Sequence, residues 1–167
     1  MVKLEQFLKD NESLLRENNL DGLYDKTMSV YIKYLVTPKD VTSFFLKLGI
    51  NPLEYMTKVP RGFASGLNIT LTSIPNSITI IESASFFECG NLKQIKIPNS
   101  VTEIGEEAFY QCINLNFISI SNNLKIIYRS SFYKCNNLKW IVYKNKGFTN
   151  IEDFYDYAKK NGVIVYY

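Results

Sequence analysis

One stretch of this chain is the central copy of a repeat: Leu92-Lys-Gln-Ile95-Lys-Ile97-Pro98-Asn-Ser-Val101-Thr-Glu-Ile104-Gly105-Glu-Glu-Ala108-Phe109-Tyr-Gln-Cys112-Ile-Asn114-Leu115. The steps from Phe86 to Phe109 and from Phe109 to Phe132 are both 23 residues, and five other positions recur at the same spacing. They are Cys89, Cys112 and Cys135; Asn91, Asn114 and Asn137; Leu92, Leu115 and Leu138; Ile74, Ile97 and Ile120; Ile81, Ile104 and Ile127. Identities at a fixed period of this length indicate a stacked repeat protein.

Each copy has the pattern of a strand followed by a turn. Leu92-x-x-Ile95-x-Ile97 alternates as a strand does when one face is buried and the other is open. Pro98-Asn99 and Gly105 then turn the chain. Because one copy cannot bury its own apolar face, the copies are expected to stack.

The pattern L-x-x-I-x-I-P-x-S-V-x-x-I-x-x-x-A-F-x-x-C-x-N-L resembles the BspA-like class of leucine-rich repeat over residues 67–143. The pieces Pro98-Asn99-Ser100, Ala108-Phe109 and Cys112-x-Asn114-Leu115 make the resemblance specific. It implies a right-handed solenoid with a parallel sheet on the concave side, used mainly for protein recognition and adhesion. It supplies no catalytic residues.

Composition and charge are those of an ordinary soluble globular chain, with 46% hydrophobic residues, 21% charged residues and a net charge of +3. No apolar run approaches the ~20 residues of a membrane span. Charges interrupt the apolar positions of residues 1–10, unlike a secretion signal, so a cytoplasmic location is expected. Basic and acidic side chains are distributed along the whole chain, which predicts no basic stripe and no nucleic-acid partner.

Residues able to carry chemistry are few. The absence of histidine removes the usual general base and the commonest metal ligand, and no phosphate-binding glycine loop occurs. The acidic cluster Glu103, Glu106 and Glu107 is interpreted as a solvated turn. The three cysteines at one repeat position predict a column of buried, reduced thiols. We therefore expect no enzyme activity, no cofactor and no metal.

Residues 1–62 are predicted to form a helical N-terminal domain. Apolar stripes occur through Leu4 to Leu15 and through Leu20 to Leu35. Thr37-Pro38 opens a third helix that Gly49 ends, and Asn51-Pro52 opens a brief fourth one. We expect a bundle that caps the first repeat, with a separate binding head as the alternative.

Residues 63–143 form the predicted repeats, and residues 144–167 predict a C-terminal cap. In that cap, Thr149 and Glu152 form a capping box and Gly162 ends the helix. A shift of 23 residues carries Ile141 to Ile164, so residues 163–167 are predicted as one more strand of the same sheet, after a right-handed crossover. The expected fold is thus an α+β leucine-rich-repeat solenoid with a parallel concave sheet between two caps.

The outward positions of the concave sheet suggest a partner-binding face, because residues that flank the buried Ile-x-Ile positions point away from the core. The candidates are Phe117, Trp140, Val142, Val163, Val165, Tyr167, Lys96 and Lys144. A contiguous exposed apolar patch usually marks an interface. The alternative is that residues 144–149 or the terminal helix cover the patch.

The predicted function is therefore a non-catalytic module that binds a protein partner through the concave face. An alternative is a small phage or mobile-element inhibitor that blocks a host enzyme by direct binding. If the patch is covered, the interface moves to the helical bundle or to the exposed edge of residues 163–167, where a second copy could pair as a homo-oligomer.

Overall fold

Two β-sheets dominate the computed structural model, which describes residues 38–47, 49 and 51–167. The first sheet contains, in spatial order, β3 (Gln94–Lys96), β5 (Phe117–Ser119), β7 (Trp140–Tyr143) and β8 (Lys146–Phe148). The second sheet contains β1 (Lys58–Val59), β2 (Ile80–Ile81), β4 (Glu103–Ile104), β6 (Ile126–Tyr128) and β9 (Ile164–Tyr166). All neighbouring strands are parallel except β7 and β8.

The pairing register of both sheets follows the repeat. In the first sheet Ile95 pairs with Ile118 and Ile118 with Ile141, and all three are buried. In the second sheet the same holds for Ile81, Ile104 and Ile127. The predicted stacking of successive copies is confirmed. The second sheet was not predicted, because strands of two or three residues are too short to show alternation in the sequence.

An aromatic spine runs through the core between the sheets. The rings of Phe86 and Phe109 stack with centroids 5.1 Å apart, and those of Phe109 and Phe132 with centroids 5.4 Å apart. Phe63 meets Phe86 edge-on at 5.8 Å. These side chains are buried, so the predicted phenylalanine column is confirmed.

The cysteines form the predicted column of buried free thiols. Each thiol donates a hydrogen bond to a backbone carbonyl of the preceding coil: Cys89 to Ala64 (3.1 Å), Cys112 to Phe86 (3.1 Å) and Cys135 to Phe109 (2.9 Å). Cysteine suits this position because it is small and its S–H group is a weak hydrogen-bond donor. The turn carbonyls have no strand partner, so the thiols satisfy them.

Asparagine side chains also link successive coils. Asn114 donates its side-chain amide to the carbonyl of Gly90 (2.6 Å), and Asn137 donates to that of Ile113 (2.7 Å), so two members of the asparagine column satisfy backbone carbonyls of the preceding coil. A second link was not predicted: Asn99 Oδ1 accepts from the backbone N–H of Asn122 (2.9 Å), and Asn122 Oδ1 from that of Lys144 (2.8 Å).

One α-helix of the N-terminal region is described, α1 (Pro38–Lys47), and it is followed by Gly49 with a left-handed φ of 72°. A short 3-10 helix, Pro52–Tyr55, follows, and the Asn51 side chain caps it by accepting from the Leu53 N–H (3.1 Å). Both starts were predicted. The remaining helices of the predicted bundle fall on residues 1–37, outside the described residues, so the capping bundle and the binding head both stay predictions.

The region after β7 differs from the predicted loop. Lys144 and Asn145 have left-handed φ values of 49° and 59°, as a two-residue hairpin turn of type I′ requires, and β8 returns antiparallel to β7. The second helix, α2 (Ile151–Lys160), is capped by Asn150 rather than by the predicted Thr149. Gly162, with φ 84°, follows the helix as predicted.

The predicted place of the last strand is wrong. β9 pairs with β6 in the second sheet rather than with β7, because β8 already occupies the free edge of β7. The predicted facing is also reversed. Val165 pairs with Ile127 on the inner side, whereas Ile164 and Tyr166 point outward and are exposed.

Candidate functional site

The outward side of the first sheet is the candidate site, and we call it the first-sheet face. Burial alternates along β3, β5 and β7, so one set of their side chains enters the core and the other set points away from it. The outward set consists of Gln94, Lys96, Phe117, Ser119, Trp140 and Val142.

The apolar centre of this face consists of Phe117, Trp140 and Val142. Trp140 is 56% exposed and pairs directly with Phe117 on the neighbouring strand. Val142 pairs with Gly147 of the hairpin, where an added Cβ would lie 3.9 Å from the indole ring. The indole therefore lies beside a strand position that has no side chain to cover it.

The described residues do not cover the apolar centre, contrary to the alternative considered from the sequence. Residues 146–148 extend the sheet sideways as β8 instead of folding over its face. Helix α2 packs on the opposite, inner side, where Phe154 meets Tyr143 edge-on at 5.7 Å. Trp140 thus remains accessible from the side of the first-sheet face.

The structure brings together only part of the predicted binding set. Lys96 is exposed on the first-sheet face, and Lys144 lies at its rim in the hairpin turn. Val163 is 3% exposed and belongs to the core, and Val165 is half-buried in the second sheet. Tyr167 is 84% exposed and lies next to Arg129, whose guanidinium carbon is 4.5 Å from the ring centroid.

Arg129 holds the C-terminal segment to the solenoid. It forms an ion pair with Glu152 at the start of α2 and lies 5.4 Å from the ring centroid of Tyr155. Burial acts to lower the pKa of Arg129, but the charge of Glu152 outweighs it and raises that pKa. The Tyr155 hydroxyl donates a hydrogen bond to the Arg129 carbonyl (3.1 Å). Burial raises the pKa of the Tyr155 hydroxyl. These contacts place Tyr167 on a different surface from Trp140.

A groove of about 420 Å³ adjoins Trp140 at the beginning of the first-sheet strands. Its lining consists of amides, ammonium groups and the indole: Asn114, Asn116, Asn137, Lys93, Lys139 and Trp140. Three of these residues, Lys93, Asn116 and Lys139, are not among the predicted binding residues, although they recur at the repeat spacing. The 23-residue spacing places these three residues in one column, but it does not show that the column lies beside the indole.

The described ranges contain neither a cluster of metal-ligating side chains nor a helix of membrane-spanning length and apolarity. No group of three or more histidine, cysteine, aspartate or glutamate residues in the described ranges could hold a metal ion. Glu103 lies in β4 of the second sheet, and Glu106 and Glu107 follow it, so the acidic cluster lies apart from the first-sheet face. Within the same ranges, no helix has the length and apolarity needed to cross a membrane.

Comparison with known proteins agrees with the observed repeat. Residues 59–161 match the model of the BspA type leucine-rich repeat region, with 6 copies. A leucine-rich repeat protein of T. pallidum is similar in structure, with a TM-score of 0.42 and 28% identity over 43% of this chain and 36% of that one. A leucine-rich cell surface protein of Faecalibacterium prausnitzii A2-165 has a TM-score of 0.32 and 23% identity over 48% of this chain and 33% of that one.

The matched region thus spans about a third of each of those two solved chains. No curated protein shows a significant match. The family model covers more than half of this chain, and its bounds contain every first-sheet strand and the hairpin. The chain therefore belongs to the BspA-type leucine-rich repeat family.

Proposed function

We propose that this chain is a non-catalytic protein-interaction module whose partner docks on the first-sheet face. The observation that supports this most directly is Trp140, which is 56% exposed between half-buried Phe117 and Val142. Tryptophan is among the residues that most often dominate binding energy, since its large ring loses much water-exposed area on contact.

The backbone under these side chains favours binding further. β5 and β7 are joined by parallel pairs at three successive positions, and β8 pairs with the other edge of β7. A surface fixed in this way loses little conformational entropy when a partner docks, so more of the contact energy contributes to affinity.

The test uses a captured and purified partner and two exposed aromatic residues. Trp140→Ala removes the proposed anchor, whereas Tyr133→Ala removes an aromatic side chain of similar exposure (60%) that lies outside the first-sheet face. We expect Trp140→Ala to weaken binding by ~2 kcal/mol or more. Tyr133→Ala should change it by less than ~0.5 kcal/mol. Equal affinities of wild type and Trp140→Ala would overturn the proposal.

A further inference from the structure

The charges of this chain separate by side when it folds, although they are mixed along the sequence. Four exposed lysines lie on the first-sheet face or at its rim: Lys93, Lys96, Lys139 and Lys144. No aspartate or glutamate occurs in residues 89–102 or in residues 108–151, the segments that contain every first-sheet strand.

Acidic side chains lie elsewhere in the described part of the chain. Glu103 belongs to β4 of the second sheet, and Glu82 follows β2, where it accepts from the Arg61 N–H (3.1 Å). Glu152 belongs to α2 and pairs with Arg129. Among the described residues, the charged side chains of the first-sheet face are therefore all lysines, and a docked surface that carries carboxylates would be attracted to them.

The lysines nearest the indole have a regular arrangement. Lys93, Asn116 and Lys139 belong to successive coils, because the Asn116 N–H donates to the Lys93 carbonyl (2.9 Å) and the Lys139 N–H to the Asn116 carbonyl (3.1 Å). Neighbouring strands are ~4.8 Å apart, so the backbones of the two lysines are separated by roughly 10 Å. Asn116 occupies the position between them in this column.

The two ammonium groups are available to a ligand. Lys93 and Lys139 are exposed and take part in no ion pair among the described residues. The asparagines beside them already use their amide N–H groups within the protein, Asn114 toward Gly90 and Asn137 toward Ile113. Their side-chain oxygens are left to accept hydrogen bonds from the groove side.

We propose that the partner of this face presents an acidic peptide segment, with an apolar side chain that packs on Trp140 and carboxylates that pair with Lys93 and Lys139. This inference rests on the proposed function. A nucleic acid fits less well, because affinity for a phosphate backbone depends on neutralising many phosphates along it, and the described lysines of this face are few. Arginine, which holds phosphate with two hydrogen bonds, is absent from the first-sheet strands.

The test uses a synthetic peptide with one central leucine between two runs of four glutamates. Glutamine replaces every glutamate in the neutral control peptide, and an oligothymidine of ten nucleotides represents nucleic acid. Trp140 is the only tryptophan, so its fluorescence reports contact with this face directly. We expect saturable binding of the acidic peptide that weakens as salt is raised, and little response to the neutral one.

Two matched double variants then test which lysines attract the acidic peptide. Lys93→Gln combined with Lys139→Gln should weaken binding of the acidic peptide about threefold to tenfold, as expected for two exposed ion pairs. Lys58→Gln combined with Lys160→Gln removes the same charge from exposed positions in β1 and α2. This control pair should change the affinity by less than about twofold.

With the peptides, any of three results would overturn the acidic assignment: no saturable response to the acidic peptide up to ~1 mM, equal affinity of both double variants, or binding of the oligothymidine in preference to the peptide. The proposed function is tested separately with the purified partner. A partner lost by Trp140→Ala but unaffected by the Lys93 and Lys139 changes would overturn the acidic assignment alone. A partner unaffected by Trp140→Ala would overturn the proposed function.

Discussion

The ring of Phe109 stacks on the ring of Phe86 with a centroid distance of 5.1 Å and an angle of 10° between the ring planes. On its other side Phe109 stacks on Phe132 at 5.4 Å and 12°. One side chain thus packs against equivalent side chains of both adjacent coils, and the spine couples the stability of one coil to that of the next.

Replacing Phe109 with alanine should therefore cost about 3–5 kcal/mol of unfolding free energy, since the ring is fully buried and both neighbours lose their stacking partner. Denaturant melts measure this cost. The control is Tyr133→Ala, an exposed residue whose ring lies 5.8 Å from that of Tyr110, which should cost less than ~1 kcal/mol. A loss below about 1 kcal/mol for Phe109→Ala would contradict the continuous spine.

Gly105 is required by close contact between coils. A Cβ at this position would lie 2.7 Å from the backbone nitrogen of Ser83 and 2.8 Å from the carbonyl carbon of Glu82. Backbone atoms cannot move aside cheaply, so Gly105→Ala should destabilise the protein by about 1–3 kcal/mol.

The matched control is Gly90→Ala, because a Cβ at Gly90 meets nothing within 4 Å and neither glycine has a left-handed φ. This variant should melt within ~1 kcal/mol of wild type or above it, since alanine restricts the unfolded chain more than glycine does. Equal melting of the two variants would show that the coils do not approach as closely as the structure indicates.

The buried thiols predict loss of stability at alkaline pH. The neighbouring Cys135 lowers the pKa of the Cys112 thiol, but Cys89 and burial outweigh this effect and raise that pKa from 9.0 to about 12. Cys112 and burial likewise raise the pKa of the Cys135 thiol. A raised pKa in the folded state means that the unfolded state loses its protons first, so stability is retained below the ordinary thiol pKa and declines above it.

We therefore expect a constant unfolding free energy from pH 6 to about 8 and a decline between pH 9 and about 12. Denaturant melts across this range measure it, and Cys112→Ala should reduce the slope. At pH 8 an aromatic disulfide reagent should modify the thiols only as fast as the protein opens. Rapid modification of the folded protein would show that the column is accessible.

Trp140 should report an open face in the free protein. Because the indole is 56% exposed, we expect red-shifted emission that acrylamide quenches readily, and Trp140→Ala should change the unfolding free energy by less than ~1 kcal/mol. Blue-shifted emission that resists the quencher would mean that the indole is covered in solution. Unfolded protein in denaturant provides the reference for full exposure.

The first-sheet face illustrates which features the sequence could and could not predict. Phe117, Trp140 and Val142 were found because alternation along a strand gives the facing of each residue directly. Val163 and Tyr167 were assigned to the wrong sheet. A shift of 23 residues compares residue types only, and it cannot show that β8 already pairs with the free edge of β7. Lys93 and Lys139 were not predicted as a pair. Along the sequence, basic and acidic residues are mixed, and only the fold brings these two lysines into one groove.

The sequence by itself determined the repeat period, the identity of the buried columns and the stacking of successive copies. These features depend on contacts between equivalent positions, which the period places side by side. The tertiary structure decided how the last coil closes, since strand pairing is limited to edges that remain free. It also decided where the charges lie: in the described part of the chain the first-sheet segments carry lysines and the acidic residues lie outside these segments, so charges that are mixed along the sequence are separated by side in the fold.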